Sequence, residues 1–339
     1  MKSLLYSSLL LLLLMLSGAN AAHQDPQKAG RPLQEEEPIK LGTTLVQVPV
    51  VVSEPGGRYV TDMKRDEFDL YEDGVRQKIA LFGSAEEPFN VALLLDSSGS
   101  TSEQLALIKA AAMAFINNLR PQDRVMVVSF NDSVQVLCEL TGNRRTLASA
   151  VESIRSGEFT QVYEAVYTAV WERLHDLPGR KAVILFTDGI DTASSEISSE
   201  DTLDAVVESE DIIIYPIRYS TRGDVERKIE ARLRASATQG EEFAAALEKQ
   251  QHELDRTYRS ADEYLQQLAD MSGGIVERAD GLGDLETALG KIARELRQQY
   301  LLGYYPTNKS KDQKARKIHV DSVRPGVRVR ARPEYRMSQ

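Results

Sequence analysis

Val91-Ala92-Leu93-Leu94-Leu95-Asp96-Ser97-Ser98-Gly99-Ser100 is the stretch that decides the fold. Five apolar residues in a row leave no polar face, the pattern of a central strand covered on both sides. The run stops abruptly at a carboxylate and two hydroxyls at alternate positions, all hard oxygen ligands. A helix follows, because Leu105, Ile108, Ala112, Phe115, Ile116 and Leu119 recur at the spacing of one helical face, up to Arg120-Pro121.

Outward from there the same rhythm repeats. Val125 to Phe130, Ala182 to Phe186 and Ile212 to Ile217 are further apolar runs, and Val134 to Leu140 is an apolar stretch. Between them lie helical patterns around Leu147, Val151 and Ile154 and from Val162 to Leu174. Alternating apolar strands and amphipathic helices predict an α/β fold, a doubly wound, mostly parallel sheet over residues 89–299. A charged stretch at residues 219–260, too long for an ordinary loop, interrupts it as an exposed helical insertion. It follows a strand, so it should emerge on the edge that carries Asp96 and influence what reaches that edge. The core pattern resumes with a helix from Ala261 to Met271, a short strand Ile275 to Glu277 and a helix carrying Leu285, Leu289, Ile292 and Leu296.

The two ends read as β structure. Val46, Val48, Val50 and Val52 alternate with polar residues, and Pro49 suggests an edge strand. Phe68 to Tyr71 and Val75 to Leu81 flank Asp73-Gly74 as a hairpin. Beyond Pro306, Ile318 and Val320 precede the Pro325-Gly326 turn and an alternation of Val327, Val329 and Ala331 with Arg328, Arg330 and Arg332. A lone hairpin is marginal in water, so residues 43–88 and 300–335 are expected to complete one small flanking β domain.

Residues 1–21 have the lysine, apolar run and Ala19-Asn20-Ala21 ending of an export signal, and the run is too short to span a bilayer. Cleavage after Ala21 leaves a chain with no transmembrane anchor, whose residues 22–42 form a flexible leader rich in Gln, Glu and Pro. The expected location is periplasmic or secreted. The 339 residues carry 41 Lys and Arg against 51 Asp and Glu, a net charge of −10, which argues against nucleic acid as a partner. Ten cations against three acids from Asn308 onward read as a solvated edge strand, with an anion-binding surface as the alternative. Four His and one Cys give no zinc, iron–sulfur or disulfide framework. Cys138 reads as a buried core residue, and Arg222-Gly223-Asp224 as a chance triplet in a charged stretch.

A second carboxylate stands at an equivalent place, since Thr187-Asp188-Gly189 follows the strand Ala182 to Phe186. Loops at the carboxyl ends of neighbouring parallel strands can reach one point. Two carboxylates brought together repel unless a cation joins them, and a magnesium-like ion wants about six oxygen ligands. Asp191 lies nearby, either supporting the site or serving as a plain turn residue.

Val91 to Ser100 together with Ile184 to Gly189 resembles the von Willebrand factor type A domain over roughly residues 89–299. The flanks, with Asp66-Glu67-Phe68, Tyr71-Glu72-Asp73-Gly74 and Gln299 to Tyr304, resemble an exported bacterial family related to it. The resemblance implies a metal-ion-dependent adhesion site at Asp96, Ser98, Ser100, Thr160 and Asp188. Thr160 heads a segment matching T-x-L-Y-D-A, with Glu158-Phe159 where many members have glycines. It implies a divalent cation, Mg²⁺ first with Mn²⁺ or Ca²⁺ as alternatives, and a protein partner offering a Glu or Asp carboxylate.

The expected function is therefore metal-dependent protein binding of the adhesion type, without catalysis. One alternative is a magnesium-dependent phosphohydrolase, which Ser98 speaks against because it stands where such enzymes place an acid/base Asp. Another is a structural envelope component with an empty site.

Overall fold

The computed structural model describes residues 44–83, 87–235, 241–310 and 312–337. The export signal and leader expected at residues 1–42 lie outside them. In chain order the first strands are β1 (Val46–Ser53), β2 (Phe68–Glu72), β3 (Val75–Gln77), β4 (Ile79–Gly83) and β5 (Phe89–Asp96). Then come α1 (Leu105–Asn117), β6 (Arg124–Phe130), β7 (Val134–Thr141), α2 (Arg144–Ser153) and α3 (Val162–Tyr167). The middle of the chain supplies β8 (Arg180–Thr187), α4 (Ser199–Glu208), β9 (Ile212–Arg218), α5 (Arg222–Ala235) and α6 (Glu241–Ser272). The last elements are β10 (Glu277–Arg278), α7 (Leu282–Leu296), β11 (Tyr300–Tyr304), β12 (Arg316–Ser322), β13 (Arg328–Ala331) and β14 (Glu334–Tyr335).

The central sheet has the order β10-β9-β8-β5-β6-β7, parallel except for the edge strand β7. Apolar residues fill both faces, as the unbroken runs in the sequence require. Val91, Leu93 and Leu95 pack toward one helical layer with residues of α1, α2 and α7, while Ala92 and Leu94 pack with α3, α4 and α6 on the other. Cys138 is buried in the first of these cores. The chain winds from β5 to β6 in one direction and returns to place β8 on the other side of β5. The reversal of strand order thus falls between β5 and β8, where open α/β sheets form a crevice beyond their carboxyl ends.

The flanking layer comes from both ends of the chain, in two antiparallel sheets of order β13-β1-β11-β4 and β14-β12-β2-β3. Val46, Val48, Val50 and Val52 face Phe68, Leu70, Ile318 and Val320 in a third core. The expected fold class, α/β with a β layer built from the two chain ends, is what the chain adopts.

Local expectations are corrected in five places. β1 is internal rather than an edge, and Pro49 is accommodated because its pairing with β13 starts only at Val50. Val75 to Leu81 is not one hairpin strand, since β3 pairs with β2 whereas β4 crosses to β11. The helix expected from Ala261 is the end of α6, which runs unbroken from Glu241 because no Gly or Pro interrupts it. The strand expected at Ile275 to Glu277 is the two-residue strand β10, Glu277–Arg278, which shares only Glu277 with it. The cations of the C-terminal segment are not simply solvated. Arg316 is buried against Glu72, which also accepts hydrogen bonds from the hydroxyls of Tyr304 and Tyr335. Arg332 is buried against α4, and Arg324 and Arg330 are paired with Glu67 and Glu295.

Candidate metal site at the carboxyl edge of the sheet

Asp96 is the last residue of β5 and Asp188 the first after β8, so register alone brings them to the same edge of two adjacent strands. Both are essentially inaccessible to solvent. The loop after β5 folds on its own oxygens: the Ser98 amide donates to Asp96 Oδ1 at 3.0 Å, and the Thr101 hydroxyl lies against the Asp96 and Ser98 carbonyl oxygens. This turn is what short polar side chains favour after a strand. It sets the Ser98 and Ser100 hydroxyls 3.2 Å apart. Ser100 donates to Asp188 Oδ2 at 3.0 Å, closing the link between the two strand ends.

Each carboxylate is held from the far side as well. Thr187 donates to Asp96 Oδ2 at 2.7 Å, and the Ile190 amide donates to Asp188 Oδ1 at 3.0 Å. Burial pushes the Asp96 carboxyl well above the ordinary carboxylate range, and the negative charge of Asp188 pushes it further. Burial also raises Asp188, against the opposing pull of its hydrogen-bond donors. Tyr219, buried beside both carboxylates, has its hydroxyl pKa raised by burial and then by their charge.

Of the five expected residues, Asp96, Ser98, Ser100 and Asp188 form one hydrogen-bonded group. Thr160 sits on the neighbouring loop, buried, with its amide donating to the Thr192 hydroxyl at 2.9 Å and its carbonyl accepting from Thr192 and Ala193. Among the described residues no hydrogen bond joins its side chain to the other four. Its loop is nevertheless pressed against the first one. The Gly157 amide donates to the Ser97 carbonyl at 2.8 Å, and a Cβ on Gly99 would stand 3.1 Å from the Glu158 carbonyl oxygen. Asp191 is a support rather than a plain turn residue. Its carboxylate accepts from the amides of Val162, Tyr163 and Ser194, capping α3 from a distance and tying the Thr160 loop to the Asp188 loop.

The oxygen set suits a hard divalent cation: two carboxylates that repel each other in a buried place, with neutral hydroxyls between them. Among the described residues no three His, Cys, Asp or Glu cluster as a metal site, so the two carboxylates would share any cation here with neutral oxygens. Sequence reasoning missed Thr187 and Thr221. Thr221 donates to Asp188 Oδ2 at 2.7 Å and is fully buried. Its signal was its place, three residues after β9 on the same edge, since a single hydroxyl carries no motif of its own.

The insertion stands next to this group. A cleft of about 410 Å³ opens between Gly189, Ile190 and Asp191 and the α6 residues Glu253, Arg256 and Ser260. Residues 90–258 match the family model of the von Willebrand factor type A domain. This chain carries a von Willebrand factor type A domain. Domains of that type are in general protein-interaction modules rather than enzymes. Among curated proteins the chain is similar to an uncharacterized protein of Synechocystis sp., sll0103, with 29% identity over 121 residues, 33% of this chain. That alignment spans 29% of the relative's length.

Solved structures similar to this chain include a von Willebrand factor type A protein from Catenulispora acidiphila (12% identity, 80% of this chain and 74% of that one, TM-score 0.46). A second is the von Willebrand factor domain of the type V pili tip protein Mfa5 from Porphyromonas gingivalis (12%, 63% and 95%, 0.44). A third is proximal thread matrix protein 1 from the mussel byssus, with a zinc-occupied metal-ion-dependent adhesion motif (13%, 66% and 49%, 0.46). Among the described residues of this von Willebrand factor type A protein, no helix is long and apolar enough to cross a membrane.

Proposed function

We propose that the protein is an exported, metal-dependent binding module of the adhesion type. Asp96, Ser98, Ser100, Thr160 and Asp188 would hold the divalent cation, Mg²⁺ first, and an acidic side chain of a partner protein would complete its shell. The bound cation supplies a positive, oxygen-seeking centre for a Glu or Asp carboxylate. The residues of the chain do the rest: Thr187 and the Ser98 amide orient Asp96, and Ser100 carries its hydroxyl between the strand ends.

The observation that carries this reading is the buried pair Asp96 and Asp188, both pushed toward protonation, with hydroxyl oxygens rather than a basic side chain placed between them. A cation is the partner that such a pair lacks. The phosphohydrolase alternative needs an acid/base carboxyl two residues after Asp96, and Ser98 at that place is engaged with the Ser100 hydroxyl.

Titration calorimetry with Mg²⁺ and Mn²⁺ tests the proposal. Wild type is expected to bind one ion, and Asp96→Ala, confirmed as folded by circular dichroism, is expected to lose it. Equal affinity in the two would remove the site. Export is tested separately, by finding a mature chain that starts at Ala22 outside the cytoplasmic fraction.

A further inference from the structure

Thr221 begins the charged insertion, yet its side chain belongs to the candidate metal site. Its hydroxyl donates to Asp188 Oδ2 at 2.7 Å and lies 2.6 Å from the Tyr258 hydroxyl. An ionised carboxylate only accepts, so the Thr221 proton points to Asp188 and the Tyr258 proton points to Thr221. Tyr258 lies on α6, Thr221 immediately precedes α5, and both are buried. One chain of three polar groups therefore runs from the carboxylate to both helices of the insertion.

Other contacts make that root stiff. Arg222 bridges Glu226 at 2.7 Å and Asp255 at 2.6 Å, fastening α5 to α6. Gln104, four residues after Ser100, donates to Asp224 at 2.8 Å. Gly189, next to Asp188, lies so close to α6 that a Cβ there would meet Leu265 at 2.9 Å and Ala261 at 3.2 Å. Arg218 pairs with Asp262 on the same helix. The insertion is thus anchored on both loops that hold the carboxylates, rather than hanging from the end of β9.

We infer that Thr221 is a positioning residue of the cation site and that, through Tyr258, it ties cation occupancy to the packing of the α5–α6 hairpin. The inference rests on the metal-binding reading above. A change in the position of Asp188 must be followed or resisted by Thr221, and a hydrogen-bonded, packed element of this kind transmits such a change to its neighbours. By reciprocity, a partner that moves the hairpin changes cation affinity by the same factor as the cation changes partner affinity.

Thr221→Val, Thr221→Ser and Tyr258→Phe test this in the purified protein, with MgCl₂ as the probe. Calorimetry reads Mg²⁺ affinity, and amide hydrogen exchange over residues 222–235 reads the hairpin with Mg²⁺ or with chelator. In wild type, Mg²⁺ is expected to slow exchange in α5. Thr221→Val should weaken Mg²⁺ roughly tenfold, the effect of one hydrogen bond to a charged group, and Thr221→Ser should restore it. Tyr258→Phe should keep affinity within about threefold but abolish the Mg²⁺-dependent protection of α5. Tyr258→Phe decides the matter if Thr221→Val loses its fold. Unchanged affinity in folded Thr221→Val, or the same Mg²⁺ response of α5 in wild type and Tyr258→Phe, overturns the inference while the metal site stands. A wild-type protein that binds no Mg²⁺ overturns both.

Discussion

Arg332 offers the sharpest test of how the β layer is fastened to the central domain. It is 1% exposed, and its guanidinium donates to the carbonyls of Ser209 at 2.8 Å, Val206 at 3.0 Å and Val207 at 3.1 Å, while Nε donates to Glu334 at 2.7 Å. Those first three carbonyls belong to the last turn of α4 and its cap, where backbone acceptors have no helical partner and the helix dipole is negative. Arg332→Met keeps the aliphatic volume and removes every donor. Each buried carbonyl left unpaired costs about 1–3 kcal/mol, not additively, and Glu210 and Asp211 lose the cation beside them. The expected loss is about 3–5 kcal/mol, as for other buried charges stripped of a partner, from a total about three times that size. Urea unfolding followed by circular dichroism measures it, with the exposed Arg328→Met, on the strand just before Arg332, as a control expected within about 0.5 kcal/mol of wild type. If Arg332→Met unfolds within about 1 kcal/mol of wild type with the same urea dependence, the guanidinium does not fasten the layers and the reasoning fails.

Gly189→Ala should destabilise by about 1–3 kcal/mol, because φ there is +82° and the added methyl would stand 2.9 Å from the Leu265 side chain; thermal unfolding reads it, and no change would mean that α6 does not press on the Asp188 loop. Glu210 is pushed up to about 7, first by burial, with Arg332 pulling the other way. Its folded pKa lies above the ordinary value of 4.5, so the folded state binds the extra proton and stability falls as pH rises from about 4.5 to 7, then levels. Glu210→Gln should flatten that fall by about 3 kcal/mol at pH 8 in pH-dependent urea titrations, and identical slopes in the two proteins would refute the assignment.

The central domain was legible because its strands are apolar without interruption. Val91 to Leu95 are all fully buried, and a central strand covered on both faces hides such a run. Asp96, Ser98, Ser100 and Asp188 were legible for a related reason, since an oxygen ligand that ends a buried strand is placed by the strand itself. Thr160 was named from resemblance, and its side chain is not joined by hydrogen bonds to the others. Thr221 was hidden because its role depends on where β9 ends relative to β8, which spacing along the chain does not encode. Arg316 and Arg332 misled for the opposite reason. Their charge reads as surface, and only the tertiary placement of Glu72 and of the end of α4 makes burial tolerable. The split between β3 and β4 turns on Lys78 alone, a single residue at which the chain leaves one sheet for the other.

The interleaving of the two chain ends imposes a waiting time on synthesis. β1 is internal to its sheet, between β11 and β13, and β2 lies beside β12. More than two hundred residues separate β4 from β11. At roughly 5–20 residues per second, the valine-rich β1 is made about 12–50 s before its neighbours exist. The α/β domain, complete within one uninterrupted span of chain, is free to fold during that interval. The early strands are not, and β1 meanwhile offers two unpaired backbone edges and exposed valine side chains, the kind of segment that nascent-chain chaperones cover. A ribosome-stalled chain ending before Tyr300 should therefore present residues 46–53 to protease, and one extended past Tyr335 should protect them.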